Sequence, residues 1–128
     1  MNVEAIDHLV LTVKDIDETC SFYTRVLGMN VTTFDGYRKA LSFGVQKINL
    51  HQYGKEFNPK AKAPTPGSAD LCFVTSAPIR DVIEHVASCG VNLLEGPVHR
   101  IGARGPIVSM YFRDPDCNLI EVSNYESV

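Results

Sequence analysis

The stretch Ile6–Met29, IDHLVLTVKDIDETCSFYTRVLGM, decides the fold. Ile6 to Val13 is rich in β-branched and apolar side chains and reads as a strand. Asp15 can cap the segment that follows, where Ile16, Cys20, Tyr23 and Leu27 recur at helical spacing. Gly28 then ends the helix. Downstream, Asn30–Phe34, Arg38–Phe43 after the Asp35-Gly36 turn, and Lys47–Gln52 read as three further strands, so the order is β-α-β-β-β.

From Tyr53 to Gly67 the apolar periodicity vanishes and Pro59, Pro64 and Pro66 mark a linker or active-site loop. The order then restarts. Ala69–Thr75 reads as a strand, Pro78 suits a helix first turn, and Ile79, Val82, Ile83 and Val86 form an apolar stripe that Gly90 closes. Val91–Leu94, Ile107–Arg113 and Leu119–Ser123 supply three more strands. A shift of 62 positions carries His8 onto Asp70 and Gly28 onto Gly90, and Ile48-Asn49-Leu50 matches Ile120-Glu121-Val122 once a hairpin length difference is allowed. Duplication is the simplest account. The expectation is one α+β domain over residues 1–128, built of two βαβββ modules (1–53 and 68–128) joined by the loop 54–67, with mixed sheets curled around a cleft.

Alternation along the strands sorts the side chains by face. Leu9, Leu11 and Val13 would meet the helix, which leaves His8, Val10 and Thr12 opposite. Leu71 and Phe73 oppose Asp70, Ile48 and Leu50 oppose Asn49 and His51, and Ile120 and Val122 oppose Glu121 and Ser123. The ionisable residues therefore collect on the faces turned away from the helices.

Bulk properties narrow the function. The 128 residues with 45% hydrophobic content suit one globular domain. A net charge of −3, with 12 scattered Lys and Arg, points to no nucleic-acid surface and no polybasic membrane anchor, so small molecules are the expected partners. Cys20, Cys72, Cys89 and Cys117 form no CxxC pair, and Cys20 and Cys72 fall inside apolar patterns, where a reduced thiol acts as a small core residue. The start MNVEAIDHLV lacks a signal-peptide pattern, and no run of about 18 apolar residues occurs, so the expected location is cytoplasmic.

A His and two carboxylates converging from separate strands make an open site for a divalent cation, with water or substrate oxygens completing the shell. His8, Asp70 and Glu121 are those candidates. His51 shares the face of Asn49 and is a competing ligand or a general base, since imidazole titrates near neutrality. Tyr111 and Arg113 have the parity of Ser109 and are expected to line the cleft. Arg38, Arg104, Tyr111 and Arg113 could bind a carboxylate or phosphate on a substrate, but Arg38, near a hairpin end, and Arg104, in IGARGP, read rather as solvated surface residues, and His85 and His99 as helix-surface and loop residues.

The segments IDHLVLTVKDIDETCSFYTRVLGM, PGSADLCFV and RDPDCNLIEVSNY resemble the fingerprints of the vicinal oxygen chelate superfamily, which comprises glyoxalases, bleomycin resistance proteins and extradiol dioxygenases. More narrowly, Lys39–His51 and Ala63–Phe73 resemble a short glyoxalase-domain subgroup labelled in some bacteria as virulence proteins. The resemblance implies that His8 and Glu121 are metal ligands. It also implies that Asp70 replaces a customary His, hardening the site toward Mg or Mn over Ni, Zn or Fe. Asn49 stands where glyoxalase I carries a proton-shuttling Glu, which weighs against true glyoxalase I activity and makes Asn49 a substrate-contacting amide. The implied function is a metal-dependent, lactoylglutathione-lyase-like lyase or isomerase acting on a small oxygen-rich substrate. Glu121 and His51 would be its catalytic groups and a homodimer its functional form. The alternatives are a non-catalytic small-molecule or antibiotic-binding protein using the same cleft, and an extradiol-type dioxygenase.

Overall fold

The computed structural model describes residues 1–126. Asp15 begins the first helix as expected, its side chain accepting from the Glu18 amide, and Gly28 ends it in the left-handed region at φ 67°. The elements are β1 (His8–Val13), α1 (Ile16–Leu27), β2 (Asn30–Phe34), β3 (Arg38–Phe43), β4 (Gln46–Gln52), β5 (Asp70–Val74), α2 (Ile79–Ser88), β6 (Glu95–Gly102), β7 (Gly105–Arg113) and β8 (Leu119–Tyr125). This is the α+β fold of two βαβββ modules. The chain divides into two compact units, Met1–Gly67 and Ser68–Val128.

Each unit has one four-stranded sheet, ordered β1-β4-β3-β2 in the first and β5-β8-β7-β6 in the second. In both, the first strand runs parallel to the last and the remaining pairs are antiparallel. In the first unit, Leu11, Val13, Leu41, Ile48 and Leu50 are buried on the sheet side that meets α1, which contributes Phe22, Tyr23 and Val26. In the second, Met110, Phe112, Ile120 and Val122 are buried with Val86 of α2. Burying each such side chain contributes about 1.5–3 kcal/mol, which holds the helix faces shut and leaves the opposite faces for polar groups.

Four expectations change. The buried stripe of α1 is Thr19, Phe22, Tyr23 and Val26, rotated by about one residue from the Ile16-Cys20-Tyr23-Leu27 reading, so that Phe22 meets the sheet in addition to Tyr23. Val91–Leu94 is not a strand. The pairing with β7 begins at Glu95, and the strand so formed carries Pro97 at the sheet edge beside a register shift between Glu95 and Val98. An edge position with a bulge tolerates proline's missing N–H, although Gly-Pro by itself signals a turn. His99 consequently lies on β6, not in a loop. Cys20 is half-buried and Cys72 exposed, so neither is a core thiol.

Candidate functional site

In the second unit the site is built around Glu121. The register sets Glu121 of β8 between Cys72 of β5 and Tyr111 of β7, with Glu95 of β6 on the far side of Tyr111. The adjoining row on the same face is Val74, Ser123, Ser109 and Val98. Ser109 and Ser123 are fully buried. The Ser109 hydroxyl donates to Glu121 Oε2 at 2.6 Å, and Ser109 Oγ lies 2.6 Å from Ser123 Oγ. A hydroxyl carries one proton. With the Ser109 proton committed to the carboxylate, Ser123 donates to Ser109, which accounts for its longer 3.3 Å approach to Oε2. Cys72 Sγ, 3.2 Å from Ser123 Oγ, then supplies the proton that Ser123 accepts. The donors thus run Cys72, Ser123, Ser109, Glu121 and fix the orientation of the carboxylate. Burial pushes the Cys72 thiol up from its ordinary value, keeping it in the donor form that this chain requires.

A cavity of about 340 Å³ opens on this row, lined by Cys72, Arg100, Ile107, Tyr111, Glu121 and Tyr125 among others. That is enough room for a small organic ligand. The Arg100 guanidinium donates to the Tyr111 phenol at 3.1 Å and to Glu95 at 3.3 Å. Burial raises the Tyr111 pKa, so at neutral pH the phenol is a protonated hydrogen-bond donor. Asp70 and Arg113 occupy the next row, either side of Leu119, and both are exposed.

The DPDCN segment pins this arrangement. Asp114 Oδ1 accepts from the backbone amides of Asp116 and Asn118, both at 2.9 Å, while the Asn118 amide donates to Asp114 Oδ2 at 2.8 Å. Asn118 Oδ1 accepts from the Ala69 amide at 2.8 Å, which ties the start of β5, immediately before Asp70, to the start of β8. Both anchor side chains are buried.

In the first unit the corresponding face reads in three rows across β1, β4, β3 and β2. They are His8-Lys47-Ser42-Asn30, Val10-Asn49-Ala40-Thr32, and Thr12-His51 continuing to Arg38-Phe34. The His8 ring is 42% exposed and its Nδ1 lies 2.8 Å from Asp7 Oδ2. That contact places the proton on Nδ1 and leaves the Nε2 lone pair available to a cation. His51 is 4% exposed. Arg38 Nη2 donates to His51 Nε2 at 3.4 Å, and the Phe57 ring stands edge-on to the imidazole at 5.5 Å. Burial, then the charge of Arg38, lowers the His51 pKa, so the ring is neutral at physiological pH. Asn49 is also buried, at 6% exposure.

The sequence-predicted residues therefore divide: His8, Asn49 and His51 lie on the first unit's polar face, and Asp70, Tyr111, Arg113 and Glu121 on the second's. Among the described residues, no three or more His, Cys, Asp or Glu side chains are grouped so that they could hold a metal ion. Among the described residues no helix is long and apolar enough to cross a membrane. The sequence reading missed Cys72 and Ser109 as site residues and set Arg38 aside as a surface residue after weighing it as a carboxylate or phosphate binder. Cys72 shares its parity with Asp70. Arg38 is half-buried and faces His51, a pairing that follows from the Phe43–Gln46 register at the turn between β3 and β4.

Two sheets of one topology, each with a polar face opposite its helix and one carrying an oriented carboxylate over a cavity, define a paired βαβββ protein with a candidate ligand cavity in its second unit. The chain belongs to the Glyoxalase/Bleomycin resistance protein/Dioxygenase superfamily, whose model matches residues 5–122. It is 60% identical over 125 residues to Virulence protein STM3117 of Salmonella typhimurium, covering 98% of this chain and 87% of that protein. It is 58% identical to the Glyoxalase domain-containing protein RDO1 of Mycosarcoma maydis, covering 98% of this chain and 71% of that one. The crystal structure of STM3117 superposes with a TM-score of 0.97, covering 98% of this chain and 100% of that one. The lactoylglutathione lyase of Agrobacterium tumefaciens, at 21% identity, a TM-score of 0.73 and coverage of 97% and 96%, shares the fold.

Proposed function

We propose that the chain is a metal-dependent lyase or isomerase of the glyoxalase-like class acting on a small, oxygen-rich substrate. The observation that carries this reading is the Glu121 carboxylate, held on Oε2 by the Ser109 hydroxyl at 2.6 Å on the wall of a cavity of about 340 Å³. Two buried hydroxyls in series leading to one carboxylate are what a metal ligand or proton carrier needs to keep its geometry.

The donor set suits a hard divalent ion, Mn or Mg ahead of Ni, Zn or Fe. On this reading Glu121 and Asp70 would supply carboxylate oxygens and His8, with Nδ1 tied to Asp7, would supply an imidazole nitrogen. When bound, such an ion would polarise substrate oxygens. The chain's own groups do the rest. Ser109 holds the carboxylate in place, the protonated Tyr111 phenol donates to a substrate oxygen, and Arg113 and Asn49 orient the substrate's polar groups. His51 is the alternative base or fourth ligand, roles that require Arg38 to release Nε2. In this reading the functional form is a cytoplasmic homodimer.

A second reading, a small-molecule binder without catalysis, is favoured by one observation: among the described residues no three metal-donor side chains stand grouped. The deciding experiment is the metal content of the purified protein, followed by titration with manganese, magnesium, nickel, zinc and ferrous iron. The metalloenzyme reading expects Mn or Mg to bind and to raise the thermal midpoint of the wild type, with the gain lost in Glu121→Ala. If no ion binds, or if every ion raises the midpoints of wild type and Glu121→Ala equally, that reading falls and the binding-protein reading takes its place.

A further inference from the structure

Two buried polar atoms on the first unit's sheet face have no hydrogen-bond partner among the described residues: Arg38 Nε and Asn49 Oδ1. Leaving such groups unpaired is costly, so a pair on one face needs an account. They are close by construction. Asn49 is paired with Ala40, two residues along β3 from Arg38, and Ala40 projects only a methyl between them.

The surroundings prepare Arg38 for an anion. Its guanidinium lies over the Phe34 ring at 4.8 Å and the Phe57 ring at 4.5 Å, so two aromatic faces hold its plane. Its Nη2 is committed to His51. A second cation, Lys47, lies over the Phe34 ring at 4.1 Å. Of the two nearby carboxylates, Asp35 is exposed and Glu56, its side chain 5% exposed, has partners of its own. Asp35 Oδ2 is 3.8 Å from Arg38 Nη1 but 70% exposed, and Glu56 is engaged by the Gly54 amide at 2.7 Å and by Lys60 at 3.6 Å.

We propose that Arg38, Asn49 and the Phe57 ring form a binding site for a small oxyanion, a carboxylate or a phosphate-type group. One ligand oxygen accepts from Arg38 Nε. A protonated ligand oxygen, such as the P–OH of a phosphate monoanion, donates to Asn49 Oδ1, the acceptor left unpaired. Phe57, from the proline-containing loop, holds the guanidinium plane, and Lys47 adds long-range attraction. The site needs no metal to form, and it deepens the proposed function, on which its role rests, by placing an anionic group of the substrate beside Asn49.

The test uses the full chain, ¹⁵N-labelled and metal-free, titrated at neutral pH with inorganic phosphate, methyl phosphate and acetate. The Arg38 Nε–H and Asn49 side-chain amide signals are followed. At least one probe should shift both signals saturably. Saturation by the phosphates alone assigns a tetrahedral oxyanion, and by acetate alone a carboxylate. Arg38→Lys keeps the charge but loses the Nε–H donor. It should weaken binding at least about tenfold, or about 1.4 kcal/mol. Asn49→Leu, read in the same way, should also weaken binding and carries the test if the first variant does not fold. Unsaturable shifts with all three probes, or wild-type affinity in a folded Arg38→Lys or Asn49→Leu protein, would overturn the proposal.

Discussion

Asn49 and Glu121 occupy the same place in the two sheets, on the strand that lies between the first and third strands of each unit, yet their neighbours differ in kind. Around Glu121 stand Cys72 and Tyr111, with Ser109 and Ser123 in the next row. Around Asn49 stand Val10 and Ala40, with His51 and Arg38 in the next row. Where the second unit has hydroxyls that donate to a carboxylate, the first has a cation against a neutral imidazole and an amide oxygen left unpaired. One backbone pattern thus carries two electrostatic faces, one suited to holding a carboxylate in place and the other to receiving a negative group. The difference lies entirely in side chains at matching registers, so it can be broken residue by residue.

The largest expected effect comes from the pin that only the second unit is seen to use. Asn118→Ala removes bonds to Asp114 and to the Ala69 amide and leaves buried partners unpaired. The expected loss is about 2–4 kcal/mol of stability in urea unfolding. In the first unit the turn between β3 and β4 is the two-residue Gly44-Val45 connection, with Val45 fully exposed. Val45→Ala should therefore cost less than about 0.5 kcal/mol. Equal losses for the two substitutions would show that the Asp114–Asn118 network is not what fixes β5 against β8.

Next comes the proton count on the second face. Ser109→Ala frees the Ser123 hydroxyl, already 3.3 Å from Oε2, to donate directly to Glu121. If Glu121 ligates a metal as proposed, affinity for manganese should fall only modestly in that single mutant. It should fall about 10- to 100-fold in Ser109→Ala/Ser123→Ala, as expected when the groups orienting a ligand are lost. A single mutant as weak as the double one would mean that Ser123 cannot take over, and calorimetric titration with manganese reads the difference.

Much of this arrangement is legible in the sequence. Strand parity assigns His8, Asp70, Asn49, His51 and Glu121 to the faces opposite the helices, because an apolar residue at every second position leaves no other choice once one side is buried. The failures share a cause. Arg38 reads as a solvated residue near a turn, since what makes it part of a site is its cross-strand neighbour, which sequence adjacency does not display. Cys72 reads as a core residue by type, although the parity that exposes Asp70 exposes Cys72 as well. Glu95–Gly102 is obscured by its own composition: a proline, a glycine and exposed His99 and Arg100 describe an edge strand no better than they describe a loop. Ser109 and Ser123 give no chemical signal at all, because a buried serine becomes informative only when its partner is known.

The smallest effect is the pH response of the first face, and its sign follows from the neutral His51. Burial and the charge of Arg38 hold the folded-state pKa below the ordinary 6.5, against a smaller opposing influence of Glu56 and with Lys60 adding to the depression. As pH falls below about 6.5 the unfolded chain takes up a proton that the folded chain refuses. Stability contributed by the neutral ring is therefore complete above that value. It declines as pH is lowered and stops declining once the folded-state imidazole is itself protonated. His51→Gln removes the titrating group while keeping a polar side chain beside Arg38. The difference in unfolding free energy between wild type and His51→Gln should therefore be flat from pH 8 to 7 and should shift against the wild type below about pH 6.5. A difference that is independent of pH across that range would mean that His51 is protonated alike in both states, and that Arg38 does not rest against a neutral ring.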